Sequence, residues 1–468
     1  MGRERLPVHP VPAARGRTGK QVHPTEQPTE PPQVREVVSA VVGAGYVGMA
    51  TAVALAETGH RVLLVERSPE KLRLLEAGQV PMHEPELPEA YAAMFERGRI
   101  LPMPALPASP MHLVIICVGT PVMESGLTDT AQVEAALTAA VPAMAGGAAC
   151  VIRSTLPVGS SGKLARMRGV VSERLFVAPE FMRQGSALED VRHPTRVVIG
   201  SVSATPDAAS VRLVATALTA GQPGKALMMR AEEASLVKNG SNVYLAMRLS
   251  FANEVAALAE DLGVDVGPVL AGISLDPRIG HGYFQPSFGF GGSCLPKEVS
   301  SLSAAGLDLG LPMYLARAIA SANDDHQRRF ARRIAMAVGG LSGKRIALLG
   351  LAFKADTDDV RSSPALRLAA RLLSEGADVR AHDPAAGAAA RRALPDLHVV
   401  ATPEEAVRDA SAAVIATEWA EYRNLDWASL RTTMKHPLIL DGRRLLPATE
   451  LRAAGFTVIR VGDGLAGD

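Results

Sequence analysis

The sequence predicts an α/β protein with two Rossmann-like, doubly wound parallel-sheet domains joined by a long central helix and preceded by a disordered tail. Short continuous apolar runs alternate with amphipathic segments, a pattern typical of parallel strands covered by helices on both faces. The alternation occurs twice, on either side of an Ala-, Leu- and Met-rich stretch with helical spacing. We therefore expect a tail at 1–35, a first domain at 36–220, a helical middle at 221–330 and a second domain at 331–468.

Each of these segments has its own sequence pattern. Residues 1–35 hold seven prolines and almost no aliphatic side chains, so they cannot bury enough apolar surface to fold. The first domain contains the apolar runs VVSAVV, RVLLVE, HLVIICVGT and ACVIRST. The central helix is predicted from about Ala231 to Leu262. The second domain contains KRIALLGLAF, ADVRAHDP, AAVIATEW, PLILDGR and FTVIRV.

Composition and charge exclude several classes of function. Lys and Arg number 49 against 48 Asp and Glu, so there is no excess positive charge to attract nucleic acid or an acidic membrane surface. Three dispersed cysteines favour neither a disulfide framework nor a metal cluster, and they suit a reducing cytoplasm. No apolar run reaches the ~18 residues that span a bilayer. We therefore expect a cytoplasmic protein without a metal site.

The first predicted site is a glycine-rich turn between the opening apolar run and the helix after it. Gly43, Gly45 and Gly48 form a GxGxxG, which allows a tight turn, close approach of a pyrophosphate and close packing of helix on strand. Glu66 closes the next strand, where its carboxylate would accept hydrogen bonds from an adenosine ribose and repel a 2′-phosphate. The pattern predicts NAD as the cofactor, and the neighbouring Arg67 keeps NADP as an alternative.

The second predicted site is the segment GFGGSCLPKE, which contains Cys294. Its glycines let the backbone pass close to a ligand, and Pro296 suits the first turn of a helix that begins just after the thiol. The helix N-terminus and Lys297 both favour the thiolate over the thiol. Cys294 is therefore predicted to be a nucleophile, whereas Cys117 and Cys150 lie in apolar runs and are predicted to be buried.

Together with further motifs, these segments resemble the UDP-glucose/GDP-mannose dehydrogenase family over residues 36–460. The resemblance implies a NAD-binding domain, a central helix that also supports dimerisation, and a second domain that binds a nucleotide sugar, with the active site in the cleft between the two domains. The motifs that carry it are GAGYVG, STLPVG, APEFMRQGSALED, DPRIG, GFGGSCLPKE, FKADTDDVRSSP and TEWAEY.

The activity that the resemblance implies is NAD-dependent oxidation of the C6 alcohol of a nucleotide sugar to a carboxylate in two hydride transfers. Thiolate attack by Cys294 on the intermediate aldehyde would give a thiohemiacetal, and its oxidation would give a thioester that water hydrolyses. Lys238 and Asn242 lie four residues apart on the predicted central helix, so both point to one face and can donate to one oxygen. By resemblance, they stabilise the developing oxyanion.

The resemblance also assigns residues to acid–base work and to the two binding sites. Thr155 resembles a threonine that helps to position water beside the cofactor, Glu180 resembles a glutamate used in hydrolysis, and Glu298 stands where the family usually has aspartate. The further cofactor contacts that it implies are Tyr46, Val47, Thr120 and Thr155, and the substrate contacts are Glu180, Phe181, Met182, Lys238, Asn242, Arg278, Tyr283, Phe284, Gly291, Lys354 and Arg443.

One departure from the family bears on hydrolysis of the thioester. Where many relatives repeat a glutamate four residues after Glu180, this chain has Gln184, which cannot ionise and so cannot act as a general base. Activation of water is then expected to fall to Glu180 or Glu298. Two other positions, Ala178 and Arg153, replace the usual asparagine and lysine and are expected to be local variations.

The second domain is expected to bind a nucleotide sugar rather than a second NAD, because its first turn reads GLAFK and not GxGxxG. Motif DPRIG favours conversion of UDP-glucose to UDP-glucuronate, with GDP-mannose and UDP-N-acetylhexosamines as alternatives. Arg361 either reaches the diphosphate or pairs with Asp358 or Asp359. Two rivals remain: a two-electron dehydrogenase of the hydroxyacid type, which needs no cysteine, and a noncatalytic nucleotide-sugar sensor.

Overall fold

The structure is a computed structural model that describes residues 36–123 and 126–464. The predicted tail at 1–35 lies outside the described residues. Within them, the first sheet has eight strands, which are β1 (Val38–Val42), β2 (Arg61–Val65), β3 (Ile100–Met103), β4 (Leu113–Ile116), β5 (Ala149–Ile152), β6 (Leu175–Val177), β7 (Val197–Ser201) and β8 (Ala226–Arg230).

The strands of this sheet follow the order β3-β2-β1-β4-β5-β6-β7-β8. Neighbours pair in parallel, as predicted, except that β7 runs antiparallel to β6. Strand β8 extends the sheet past residue 220, where the sequence pattern placed the end of the first domain. The helices around it are α1 (Tyr46–Glu57), α2 (Pro69–Glu76), α3 (Leu87–Glu96), α4 (Ala131–Ala145), α5 (Ser161–Ala165), α6 (Ala187–Arg192) and α7 (Ala208–Leu218).

Apolar side chains cover both faces of this sheet, which explains the continuous apolar runs in its strands. Val41 and Leu64 enter one core, while Ala40 and Leu63 enter the core on the opposite face, because successive residues of a strand point to opposite sides. The four residues of β4 and the four of β5 are all buried. The first sheet is therefore a central layer between two layers of helices.

The middle of the chain is helical. Helix α8 (Ala231–Asp261) is the predicted central helix, and it is followed by α9 (Val266–Ser274), α10 (Leu295–Asp308) and α11 (Tyr314–Ala337). A capping contact begins α8, since the backbone N–H of Arg230 donates to Glu233 at 2.9 Å. Both α10 and α11 pack against α8, so the segment with the predicted nucleophile lies beside the central helix.

The second sheet has six strands in the described chain, all paired in parallel in the order β11-β10-β9-β12-β13-β14. They are β9 (Arg345–Leu349), β10 (Asp378–His382), β11 (His398–Val399), β12 (Ala412–Ile415), β13 (Leu438–Asp441) and β14 (Thr457–Arg460). The remaining helices are α12 (Pro364–Ser374), α13 (Gly387–Ala393), α14 (Pro403–Val407), α15 (Ala420–Arg423), α16 (Trp427–Thr433) and α17 (Ala448–Ala453).

Strand order reverses once in each sheet, between β1 and β4 in the first and between β9 and β12 in the second. Open α/β sheets bind ligands at such reversals, outside the carboxyl ends of the strands. Among the helices that the structure describes, none combines the length and apolarity needed to cross a membrane.

Candidate active site

A large cleft of about 2380 Å³ lies where the carboxyl ends of both sheets meet α8 and the start of α10. Loops after β1, β2, β4, β5 and β6 line one side, and loops after β9, β12 and β13 line the other. Ordinary small-molecule pockets enclose about 300–1,000 Å³. The cleft therefore has room for a dinucleotide and a second ligand together.

The glycine turn after β1 has the shape that a pyrophosphate requires. Gly43 has a φ of +102°, and a Cβ there would lie 2.8 Å from the carbonyl oxygen of Cys117. At Gly48 a Cβ would lie 1.8 Å from the carbonyl oxygen of Gly43, so helix α1 can pack this closely only without a side chain. A Cβ at Gly45 would meet no described atom within 4 Å, which leaves open space at the N-terminus of α1.

Glu66 directly follows β2 and lines the same end of the cleft. Its carboxylate accepts a hydrogen bond from the backbone N–H of Ala44 at 3.2 Å and from that of Ser68 at 2.8 Å. These bonds fix the carboxylate beside the glycine turn, where it can accept from the hydroxyls of an adenosine ribose. Arg67 is exposed at the rim of the cleft.

The other predicted cofactor residues also line the cleft, and two of them contact other parts of the chain. The hydroxyl of Tyr46 donates a hydrogen bond to Asp358, in the loop after β9, and lies 3.0 Å from the hydroxyl of Thr357. Thr120 accepts a 2.6 Å hydrogen bond from the ammonium group of Lys297 on α10. Val47 and Thr155 complete this wall.

Cys294 is the N-cap residue of α10, and its thiol is exposed in the cleft. The Oγ of Ser293 lies 3.7 Å from its Sγ, and the carbonyl of Cys294 accepts the backbone N–H of Glu298 at 2.9 Å. The other two cysteines, Cys117 and Cys150, are free and buried. Among the three, only Cys294 has a thiol placed to attack a ligand.

Two polar residues of α8 face the cleft beside the thiol. Lys238 is 6% exposed, and burial lowers the pKa of its ammonium group, with Cys294 and Glu298 opposing that shift. Asn242 is 7% exposed, and its Nδ2 has no hydrogen-bond partner in the described chain. The lysine ammonium and the asparagine amide are thus two donors available for one ligand oxygen.

Glu298 lies one turn into α10, behind the wall of the cleft rather than in it. It is 1% exposed, and burial raises the pKa of its carboxyl, while Lys297 and Lys238 lower it. One oxygen is 3.8 Å from the ammonium of Lys297, and the other has no hydrogen-bond partner among the described residues. This carboxyl group can therefore take up a proton at a higher pH than a surface glutamate.

The bonds that Glu180 makes are different. Its Oε1 accepts from the backbone N–H groups of Phe181 at 2.7 Å and Met182 at 2.9 Å, and the carboxylate forms an ion pair with the buried Arg153. Arg153 follows β5, Glu180 follows β6, and these strands are neighbours in the sheet. The sequence pattern gave no sign of this pair, because it did not establish which strands are neighbours.

On the second sheet, Lys354 and Arg443 lie in the cleft as expected. The ammonium of Lys354 donates to the backbone carbonyl of Gln184, across the cleft. The guanidinium of Arg443 donates to the backbone carbonyls of Ala416 at 2.7 Å and Phe353 at 3.2 Å. These two bonds connect the loops after β12 and β9. Gly291 lines the same region.

The turn after β9 differs from the glycine turn after β1, as the GLAFK sequence led us to expect. Asp383 holds the position after β10 that Glu66 holds after β2, but it is 7% exposed. It accepts hydrogen bonds from the backbone N–H groups of Leu351 and Ala352 and from the indole of Trp419. Its other oxygen accepts from two further backbone N–H groups, so each oxygen of Asp383 accepts at least two hydrogen bonds, whereas each oxygen of Glu66 accepts one. Asp383 therefore cannot bind a ribose as Glu66 can.

The three predicted substrate contacts at 278–284 do not lie together. Arg278 lies outside the cleft, with its side chain 88% exposed and paired with Asp276. Phe284 also lies outside it and stacks under the guanidinium of Arg248, at 4.4 Å from the ring centroid. Tyr283 lines the cleft.

Arg361 pairs with Asp359 through two hydrogen bonds of 2.9 and 2.7 Å, and it also lines the cleft. Among the cations at the cleft that were not predicted is Arg196, just before β7, whose guanidinium lies 4.4 Å from the ring centroid of Phe181. The ammonium group of Lys238, on α8, lies 5.2 Å from the centroid of the same ring. In the part of the chain that the structure describes, no group of three or more His, Cys, Asp or Glu side chains could hold a metal ion.

Comparison with known proteins supports this arrangement between residues 38 and 448. Three models of the UDP-glucose/GDP-mannose dehydrogenase family match in succession: the NAD binding domain at residues 38–217, the central domain at 232–325 and the UDP binding domain at 347–448. A UDP-glucose 6-dehydrogenase of Rhizobium meliloti is 36% identical over 431 residues, which cover 90% of this chain and 98% of that protein.

Solved structures give the same result. A UDP-glucose dehydrogenase from the archaeon Pyrobaculum islandicum matches with a TM-score of 0.82 and 35% identity, over 93% of this chain and all of that one. A UDP-D-ManNAc dehydrogenase from Pyrococcus horikoshii matches with a TM-score of 0.79 and 27% identity, over 92% of this chain and all of that one. The similarity therefore includes proteins named for different sugars.

Proposed function

Because this chain belongs to the UDP-glucose/GDP-mannose dehydrogenase family, we propose that it oxidises the C6 alcohol of UDP-glucose to the carboxylate of UDP-glucuronate, with two NAD per sugar. The observation that carries the proposal is the exposed thiol of Cys294 in one cleft with Lys238 and Asn242. A two-electron alcohol dehydrogenase has no use for a nucleophilic thiol at this place. The higher identity to proteins named for UDP-glucose favours that sugar.

The residues around the glycine turn fit NAD. Gly45 leaves open space at the N-terminus of α1 for the pyrophosphate, and Glu66 is fixed where it can accept from the ribose hydroxyls. A 2′-phosphate would bring a second negative charge against Glu66. When bound, NAD would accept one hydride in each of the two oxidations.

We assign the covalent step to Cys294. Its Sγ attacks the C6 aldehyde left by the first oxidation, which forms a C–S bond and a thiohemiacetal oxygen. Lys238 and Asn242 donate hydrogen bonds to that oxygen and stabilise its negative charge. The second oxidation removes the C6 hydrogen as a hydride and leaves a thioester on Sγ. Attack by water then breaks the C–S bond, which releases the carboxylate and returns Cys294 as a thiolate.

We assign the uptake of the proton from the attacking water to Glu298 rather than to Glu180. The oxygens of Glu180 are engaged by two backbone N–H groups and by Arg153, so its role is to hold the turn at 180–182. Oε2 of Glu298 has neither a hydrogen-bond partner nor an ion pair within the described structure, and burial raises the pKa of this carboxyl. Because Glu298 lies behind the cleft wall, we propose that a water molecule relays the proton to it from the site.

We also propose that two copies of the chain pair through α8. Tyr244, Phe251 and Leu258 recur every seven residues on this helix and are 54%, 46% and 59% exposed. A heptad spacing of large exposed apolar residues places them along one stripe of the helix, which a second copy would cover. The free thiol at the active site suits a reducing compartment such as the cytoplasm.

Release of NADH from the purified protein with UDP-glucose, GDP-mannose and UDP-N-acetylhexosamines, assayed side by side, tests the proposal. We expect UDP-glucose to give the highest kcat/KM and UDP-glucuronate as the product. Turnover of another sugar alone would reassign the substrate, and no turnover of any sugar would support a noncatalytic sensor.

A further inference from the structure

The turn at residues 183–187 of the first domain touches the loop after β9 of the second domain. The amide Nε2 of Gln184 donates a 3.0 Å hydrogen bond to Oδ2 of Asp359, and Lys354 donates to the backbone carbonyl of Gln184. The next residue, Gly185, approaches so closely that a Cβ there would lie 3.1 Å from the Cβ of Asp356. The two domains therefore meet directly at Gln184.

The contact at Gln184 depends on an amide. Asp359 has a side chain only 4% exposed, and two bonds from the guanidinium of Arg361 hold its carboxylate in place. Gln184 adds a neutral donor to this carboxylate. A glutamate at position 184 would instead face Asp359 with a second negative charge, and like charges at a buried site repel strongly.

The same bond fixes the orientation of the Gln184 side chain. Because Nε2 donates to Asp359, Oε1 points away from it, and that oxygen is buried with no hydrogen-bond partner in the described residues. The turn itself is also held from its own domain, since Glu84 accepts the backbone N–H groups of Gly185 and Ala187 at 2.8 Å each. Gln184 is therefore presented to the second domain by a fixed backbone.

A second contact ties the same loop to the cofactor turn. Tyr46 follows the glycine turn directly, and its hydroxyl bonds to Asp358, one residue before Asp359. Loop 354–361 is thus held at two points by the domain with the glycine turn, and it carries Lys354, the cation assigned to the nucleotide sugar.

We propose that Gln184 is a positioning residue that keeps loop 354–361 against the first domain. Its side-chain amide holds Asp359, and its backbone carbonyl holds Lys354. The inference rests on the proposed function, because it takes Lys354 as a ligand of the nucleotide sugar. It gives the glutamine a role that an ionised glutamate at this position could not fill, since a carboxylate has no hydrogen to donate to Asp359.

Steady-state kinetics of Gln184→Glu, Asp359→Asn and the double variant test this role. In Gln184→Glu, repulsion between the introduced carboxylate and Asp359 should raise the KM for UDP-glucose by about ten-fold or more, with kcat within about two-fold of the parent. In the double variant, the amide introduced at position 359 can donate to the carboxylate introduced at position 184. The KM for UDP-glucose should therefore fall most of the way back to that of the unmodified protein. Rescue of this kind would not follow from a merely structural role of either side chain.

Gln184→Met is the matched control, because it keeps the length of the side chain, removes the donor and adds no charge. It should raise the KM less than Gln184→Glu does. In calorimetric titrations, UDP should bind most tightly to the unmodified protein, less tightly to Gln184→Met and least tightly to Gln184→Glu. Thermal unfolding will identify any variant that has not folded.

Three outcomes would overturn the proposal: an unchanged KM in Gln184→Glu, a double variant no better than Gln184→Glu, or a faster thioester hydrolysis in Gln184→Glu. The last result would mean that position 184 acts on the attacking water. Failure of the proposed function gives a different result, because the unmodified protein would then not oxidise UDP-glucose, while titration with UDP would still report on the contact.

Discussion

Arg153 and Glu180 form an ion pair at the carboxyl ends of two neighbouring strands, and their side chains are only 6% and 13% exposed. Glu180 is the residue that the family resemblance assigned to hydrolysis, and its carboxylate is engaged by this ion pair. Removing the charge of Glu180 alone would leave the guanidinium of Arg153 buried without a counter-charge. This relationship separates an anchoring role of Glu180 from a catalytic one.

We predict that Glu180→Gln lowers the free energy of unfolding by about 3–5 kcal/mol, because one partner of a buried ion pair is lost. The double variant Arg153→Met with Glu180→Gln should recover most of this loss in urea unfolding, since the amide oxygen introduced at position 180 can still accept from the backbone N–H groups of Phe181 and Met182. It should also hydrolyse the thioester. A stable double variant that accumulates acyl-enzyme would show that Glu180 is the base.

The pH profile of kcat should have two limbs that belong to different residues. Burial raises the pKa of Glu298, so the rate should fall as the pH drops through a value above the ordinary ~4.3 of glutamate. Burial lowers the pKa of Lys238, so its donor should be lost as the pH rises through a value below the ordinary ~10.4 of lysine.

Glu298→Gln should be slow and should lose the acid limb, while Glu298→Asp should keep an acid limb with a shifted midpoint. An acid limb that is unchanged in Glu298→Gln would assign it to another group. The measurements are made at saturating NAD and sugar, so that the profile reports the pKa values of groups in the enzyme–substrate complex.

Glu66 should control the choice of cofactor. Glu66→Ala removes the acceptor for the ribose hydroxyls and should raise the KM for NAD by about ten-fold. It should also reduce the discrimination against NADP, because the charge that repels a 2′-phosphate is lost. The KM for UDP-glucose serves as the internal control and should not change. Equal loss for both substrates would place Glu66 in a structural role instead.

Phe251→Asp should convert a dimer into monomers, because it places a charge in the middle of the exposed stripe of α8. Light scattering after size exclusion measures the mass directly. Met336→Asp, which changes an 81% exposed residue of α11, is the control and should remain dimeric. A monomeric unmodified protein, or a dimer that survives Phe251→Asp, would remove α8 from the interface.

The sequence was sufficient for the two sheets and the central helix, because apolar runs and helical spacing report burial directly. It could not predict that β7 reverses direction, since an apolar run has no direction in its pattern. It also placed Arg278 and Phe284 beside the substrate by motif alone, whereas the structure places both outside the cleft. A motif identifies a segment but not the face that each of its side chains presents.

Pairs that cross the fold were the least predictable part of the site. Arg153 and Glu180 meet because β5 and β6 are neighbours, and Gln184 meets Asp359 because two domains close on one cleft. In contrast, the spacing of Lys238 and Asn242 on one helix was enough to predict that they lie together. The position of Cys294 before Pro296 was enough to predict that its thiol lies at the start of a helix. Local geometry is present in the sequence, while contacts between distant segments depend on the order of the strands.

The covalent role of Cys294 is the central claim, and the ratio of NADH formed to UDP-glucose consumed tests it most directly. The unmodified protein should give two NADH for each sugar and a uronate product. Cys294→Ala should bind NAD normally and form no more than one NADH per sugar, with no carboxylate. Full uronate formation by Cys294→Ala, or a ratio near one in the unmodified protein, would contradict the account.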